Sequence, residues 1–284
     1  MGLPTNGLSR RNFLGGLGTL FSQAIFISSA AAPGFAKKKK AQGPTVSDLS
    51  TQIESLGRQL VSVPLDECDP LTSQVQQLVL DDLQNWITKN PPGPAPDGMS
   101  YDVRIRKEME FAFSKLQYPA FGQPQVLSGP WNGSVVTACG YTLGWSDFDR
   151  ANVVALYDTH DGKTSLSGVD HFVQYTDLHL KIFPGPDPSS FRFLAYGLRL
   201  GKSQPRLSAA LYGYDGQSLK SLWQVRDLYD GKLELTNGVL VIRYLKEEEY
   251  IHALTYNRKP LRHMATYKPS AQGLALDNDH EIPF

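Results

Sequence analysis

Residues 191–214, FRFLAYGLRLGKSQPRLSAALYGY, and residues 219–244, LKSLWQVRDLYDGKLELTNGVLVIRY, decide how this chain folds. They read as four β-strands in succession. Phe191 to Leu200 and Arg206 to Tyr214 are apolar, aromatic-rich runs, and Asp215-Gly216 turns the chain. A third strand carries Leu219, Leu222, Trp223 and Val225. The fourth opens at Lys232 and doubles back through Asn237-Gly238 into Val239 to Tyr244. Asn-Gly between alternating apolar runs is a strong hairpin signal, because both residues tolerate positive φ.

Working outward, similar strand signals occur at 134–144, 151–158, 171–183, 250–256 and 261–267. Short strands with turn residues between them, and no helical spacer, predict an antiparallel body. The fold class expected is therefore mainly β, with an N-terminal helical segment. It would be an antiparallel β-sandwich, or curved or propeller-like sheets, backed by two or three helices.

A faint repeat runs through this body. Gly140 to Gly144 leads to Ala155-Leu156-Tyr157 and the turn Asp161-Gly162; Gly197 to Gly201 leads to Ala210-Leu211-Tyr212 and Asp215-Gly216. A period of roughly fifty residues is in the range of propeller blades. Leu211 to Trp223 is similar to a quinoprotein-type propeller blade, which carries Tyr-x-x-Asp, a glycine turn and Leu-Trp in this order. The likeness covers one copy, and the body is too short to close a ring of blades. No quinone-binding residue is carried over from it.

Upstream, the apolar period changes to that of helices. Val46, Leu49, Ile53, Leu56 and Leu60 form one stripe. Asp69 and Pro70 are suited to the cap and first position of a second helix, with Leu71, Val75, Leu78, Val79, Trp86 and Ile87 on its apolar face. The proline run from Pro91 to Gly98 ends it. A third helix is expected over Tyr101 to Leu116, with Ile105, Met109 and Phe113 inward. These helices are expected to pack on the β-body.

Residues 1–36 have a different character. Ser9-Arg10-Arg11-Asn12-Phe13-Leu14 precedes a weakly apolar run, and no acidic residue occurs in the segment. It resembles a bacterial twin-arginine leader in Ser9, Arg10, Arg11, Phe13 and Leu14. Gly34-Phe35-Ala36 offers small residues where a signal peptidase reads. The resemblance implies handling by the twin-arginine export machinery and a periplasmic or secreted location. The alternative is anchoring by an uncleaved leader. The run is too interrupted by glycine and polar residues for a lasting span, so no membrane span is expected after cleavage. The domains expected are 1–36 as signal peptide, 37–98 as helical segment and proline-rich linker, and 99–284 as helix plus β-body.

Composition narrows function by exclusion. The 284 residues carry 28 basic and 28 acidic side chains, and this balance argues against nucleic acid as the main partner. Two cysteines, Cys68 and Cys139, are too few for a disulfide framework or a four-cysteine metal site, but could pair with each other after export. No nucleophile elbow, phosphate loop, dinucleotide fingerprint or His-Glu-x-x-His is present. No cofactor and no metal are expected.

The candidate site residues are few. Trp145, Asp147 and Asp149 place an aromatic ring and two carboxylates in one loop, a pattern suited to sugar binding or cleavage. His252 and His263 read as diagonal neighbours on successive strands, and His179 is a possible third ligand for a metal. The function expected is an exported non-catalytic binding or structural protein, taking a partner protein or a glycan. The alternatives are a small periplasmic hydrolase or glycosidase using the loop carboxylates, and a metal- or redox-cofactor-binding protein.

Overall fold

The computed structural model describes residues 51–282 except 53, 60–67, 94–97, 115–119, 144–150, 173–176, 185–189 and 200–203. The leader motif and the Trp145, Asp147 and Asp149 loop lie outside the described residues. All the described elements fall within one compact unit, Gly43–Phe284.

Three helices open the described chain: α1 within 51–59, α2 (Cys68–Lys89) and α3 (Tyr101–Ser114). Strands β1 (Ala120–Trp131), β2 (Ser134–Leu143), β3 (Ala151–His160) and β4 (Lys163–Phe172) follow as an antiparallel sheet in chain order. A second antiparallel sheet contains β5 (Asp177–Ile182), β6 (Phe191–Arg199), β7 (Arg206–Tyr214), β8 (Leu219–Thr236), β9 (Val239–Leu245), β10 (Arg262–Ser270) and β11 (Gly273–Ile282), again with chain neighbours paired. Helix α4 (Glu247–Thr255) joins β9 to β10.

The helices cover one face of the first sheet. Val75, Val79, Leu83 and Ile87 of α2 and Ile105, Met109 and Phe113 of α3 share a core with Cys139, Tyr141, Val153, Ala155 and Tyr157. The helical spacing read from the sequence thus marks the buried stripe, and Leu56 of α1 joins the same core. Tyr157 donates its hydroxyl to the Leu80 carbonyl at 3.1 Å, pinning α2 to the sheet. Asn90 closes α2, its backbone and side-chain nitrogens both bonding the Trp86 carbonyl at 2.9 Å.

The other face of this sheet meets the second one. Strand side chains alternate, so Val136, Ala138, Val154 and Leu156 point the opposite way and pack on Leu178, Leu180, Phe193, Ala195, Ala210 and Tyr212. Burying each large side chain here contributes roughly 1.5–3 kcal/mol. Strands β2 and β3 are therefore buried on both faces.

The second sheet then folds over itself. Leu194, Leu207, Ala209 and Leu211, on the far side of β6 and β7, share a core with Leu240 and Ile242 of β9. Strand β8 makes the bend. Its pairing shifts register against both neighbours, and Asp227 and Asp230 take positive φ there. The Asp227 amide donates to Ser208 Oγ at 2.8 Å, and the Asp230 amide to the Pro205 carbonyl at 2.8 Å. Beyond the bend, Tyr267 meets Trp223 edge-on with ring centroids 5.0 Å apart. Arg192 reaches across to the carbonyls of Ser270 and Ala271 at 3.2 and 3.4 Å.

Several expectations change. The blade-like segment is the β7–β8 hairpin of a continuous seven-stranded sheet, so the propeller reading does not hold. The two repeat copies face opposite ways. Ala155 and Tyr157 point at the helices, whereas Ala210 and Tyr212 point into the sheet–sheet core. The third strand, carrying Leu219 to Val225, and the start of the fourth at Lys232 are one bent strand, and 171–183 spans the end of β4 and all of β5. Of the possible Cys68–Cys139 pair, Cys139 carries no disulfide and the Cys68 side chain lies outside the described residues. Cys139 is a free, buried thiol among apolar side chains and tyrosines, an environment that suits a small uncharged residue.

Candidate functional site

A cluster of polar side chains of the second sheet lies at one corner, where β8 bends and α4 crosses from β9 to β10. Residues 250–256, expected as a strand, belong to α4. Tyr250 and Ala253, one turn apart, are buried, and Glu247, Glu248 and Glu249 form the first turn, where carboxylates complement the positive end of the helix. Lys246 occupies the N-cap with no side-chain hydrogen bond, so the usual start signal is missing from the sequence.

The inner side of α4 is clamped by three links. His263 Nε2 lies 2.9 Å from Glu249 Oε2. Tyr229 donates to Glu247 Oε1 at 2.5 Å and accepts from the Arg206 guanidinium at 2.6 Å. The Tyr250 ring lies 5.6 Å from that of Tyr229 and its hydroxyl accepts from Gln204 at 3.4 Å. Close by, Arg262 forms an ion pair with Asp230, tying β10 to the bend of β8.

His263 is enclosed in this corner, 4% exposed. On its second ring nitrogen it faces Asp279 of β11 at 3.8 Å, and Asp279 accepts from the Tyr244 hydroxyl at 3.0 Å. Burial, and then the hydrogen bond to Asp279, push the Tyr244 hydroxyl well above its ordinary pKa. The group reads as a clamp: His263, Glu249, Tyr229, Glu247, Tyr244 and Asp279 bond across β8, β9, α4, β10 and β11.

The outer side of α4 is different. Ile251, Leu254, Tyr256 and Leu261 are each between 49% and 61% exposed, and they cluster on α4 and the loop that follows it. A cleft of about 530 Å³ beside them is lined by Glu248, His252, Arg258, Lys259 and Leu261. A second, of about 440 Å³, lies by the first turn and is lined by Asp227, Tyr244, Lys246 and Glu247. The loop is held in place: the Arg258 amide donates to the Ala253 carbonyl at 2.8 Å, and Asn257 turns the chain with φ of 51°.

The histidine set expected from sequence does not assemble. His252 is exposed on α4 with its ring tilted against that of Tyr256, centroids 4.5 Å apart, whereas His263 is buried in β10. A helix stands where the diagonal strand pair was expected, and it leaves His252 exposed while His263 is buried beneath it. His179 lies on β5, at the other end of the sheet order, with its ring 5.3 Å from that of Tyr196. Among the described residues no group of three or more metal-type side chains is arranged to hold an ion. No described helix is long and apolar enough to cross a membrane.

Sequence reasoning missed Glu249, Asp279 and the apolar quartet of α4 and its following loop. One signal was present: Tyr250 with Ala253, and Ile251 with Leu254, each keep helical spacing behind three acidic residues.

No protein-family model matches this chain, and no curated protein matches it. Among solved structures it is similar to an α-L-arabinofuranosidase from Fusarium graminearum in complex with an iminosugar inhibitor, at a TM-score of 0.28 and 9% identity. That match covers 58% of this chain and 51% of the other, so the chain spans about half the length of that enzyme. A likeness of this size carries no argument about activity.

Proposed function

We propose that this is an exported, non-catalytic binding protein that takes a partner protein on the outer face of α4. The observation that carries this reading is the exposed quartet Ile251, Leu254, Tyr256 and Leu261, on α4 and the loop that follows it, with the helix fastened from beneath. Clustered exposed apolar side chains rimmed by charge mark interaction surfaces. Aliphatic side chains dominate the patch, which suits a protein surface better than a sugar, whose rings stack on flat aromatic platforms. The enclosure of His263 between carboxylates fits a structural role rather than proton transfer to a substrate.

A photocrosslinking residue at position 254, in cells that make the protein naturally, should yield a discrete adduct that Ile251→Asp abolishes. The same residue at position 276, on the edge strand β11, should yield none. A broad glycoside and ester screen should show no turnover; turnover abolished by Asp147→Ala or Asp149→Ala would overturn the non-catalytic reading.

The export part rests on Ser9, Arg10, Arg11, Phe13 and Leu14. Replacing Arg10 and Arg11 together with lysine should hold the protein in the cytoplasm. Unchanged export of that variant would sink the twin-arginine assignment.

A further inference from the structure

We infer that the partner seated on α4 is a second copy of this chain, in a two-fold symmetric dimer. The inference rests on the reading of α4 as a binding surface and names its occupant.

A two-fold interface must be complementary to itself: what lies at one end must attract what lies at the other. Helix α4 meets that condition. Its outer face begins with acidic Glu248, passes through Ile251 and Leu254, and ends at basic Arg258 and Lys259 in the fixed loop. Among the described residues, Glu248, Arg258 and Lys259 make no side-chain hydrogen bond or ion pair with another side chain. This contrasts with Glu247 and Glu249, which are turned inward onto Tyr229 and His263.

The spacing also fits. Glu248 and Arg258 are symmetric in sequence about Ala253, and Ile251 and Leu254 flank the same level of the helix. Laying two α4 helices antiparallel across that level sets Ile251 of each copy against Leu254 of the other. The same operation brings Glu248 of each copy to Arg258 of the other, twice per dimer. The Tyr256 ring is tilted against that of His252, which lines the cleft together with Arg258, Lys259 and Leu261. It is the side chain available to fill that cleft on the second copy.

Four apolar side chains and their charged ends fall well short of the roughly 20–30 residues a side of a standard interface. The association is accordingly weak and concentration-dependent. Because the charge pairs lie at its edge, it weakens further as salt is raised.

Sedimentation of the purified protein over a wide concentration range should show a reversible monomer–dimer equilibrium. Leu254→Asp should weaken it by at least about tenfold. Glu248→Arg should also weaken it, and Glu248→Arg combined with Arg258→Glu should restore it, because reversing both ends recreates the pairing. That rescue is independent of whether the Leu254→Asp variant folds well. Mixing an Ile251→Cys variant with a Leu254→Cys variant should give an intermolecular disulfide on oxidation, with the monomer recovered by reductant.

A protein that stays monomeric throughout, or a dimer indifferent to Leu254→Asp and to the charge reversals, overturns the inference. If the protein is monomeric but the crosslinker at position 254 captures a different protein in an Ile251-dependent way, only the identity of the occupant fails. If neither a second copy nor another protein is captured, the binding reading fails with it.

Discussion

His263 and Glu249 join β10 to α4 through a 2.9 Å contact between Nε2 and Oε2, the imidazole buried and the carboxylate at the edge of solvent. This link sets the pitch of α4 on the sheet. Removing the imidazole by His263→Ala leaves Glu249 and Asp279 without it in the same enclosed corner. The expected cost is about 1–3 kcal/mol in denaturant unfolding. Amide exchange should rise in α4 more than in β6 or β7, whose bonds lie in the central core. Equal protection of α4 in the variant and the parent would show that the contact does not hold the helix.

Gly273 tests the folding-over of the second sheet. A Cβ added there would stand 2.8 Å from the Leu222 carbonyl oxygen of β8, at a φ of 129° that side chains rarely adopt. Gly273→Ala is expected to destabilise by about 1–3 kcal/mol, from crowding against backbone that has little room to yield. A neutral effect in thermal or chemical unfolding would mean that β11 does not lie over β8.

Asp215 predicts a pH dependence whose sign can be worked through. Its carboxylate accepts from the Lys220 ammonium at 2.5 Å, and from the backbone amides of Gln217 and Ser218 at 3.0 and 3.2 Å. These bonds, led by Lys220, hold its pKa down to about 2 from 3.8. A depressed carboxyl favours the folded state above its unfolded pKa and loses that effect as pH falls through its folded one. The contribution is thus full above about pH 4 and disappears toward pH 2. Because the group is well exposed, solvent screening keeps the effect small. Side-chain NMR should place the Asp215 titration near pH 2, and Asp215→Asn should flatten the acid limb of the stability curve.

Cys139 should behave as a buried thiol. Burial pushes its pKa well above the ordinary thiol value, so almost no thiolate is present at neutral pH. Reaction with a thiol reagent at Cys139 is expected only in denaturant, or at the rate of global opening. Fast labelling of the native protein at this residue would contradict the packing of β2 under the helices.

The tie between Tyr157 and the Leu80 carbonyl gives a milder test of that layer. Tyr157→Phe keeps the ring and removes one buried hydrogen bond, for an expected loss of about 0.5–1.5 kcal/mol. Calorimetry of the variant should show a lower Tm with cooperativity unchanged.

The strands that were hard to read, β1, most of β4, and β11, share a position at sheet edges. β1 and β4 are the edges of the first sheet, and β5 and β11 those of the second. Edge strands are half-solvated and carry the residues that discourage further pairing. β1 contains Pro124 and Pro130, β4 contains Gly168, and β11 carries Asp277, Asp279, His280 and Glu281. Those substitutions erase the apolar alternation on which strand reading depends. Asn132-Gly133, with φ of 44° and 80°, was the one local sign that a strand precedes β2.

What the sequence determined by itself was the set of strongly buried elements. The stripe of α2, the apolar runs of β2, β3, β6 and β7, and the Asn237-Gly238 hairpin follow from local periodicity and turn chemistry, because burial of a face repeats along the chain. Tertiary structure alone decided the corner at α4. Whether Tyr-Ile-His-Ala-Leu-Thr-Tyr becomes strand or helix depends on Tyr229, His263 and Arg206, which lie far off in sequence and bind its inner side. The same contacts turn His263 inward and Leu254 outward. Local pattern carries no information about which side of a nine-residue helix its distant neighbours will hold.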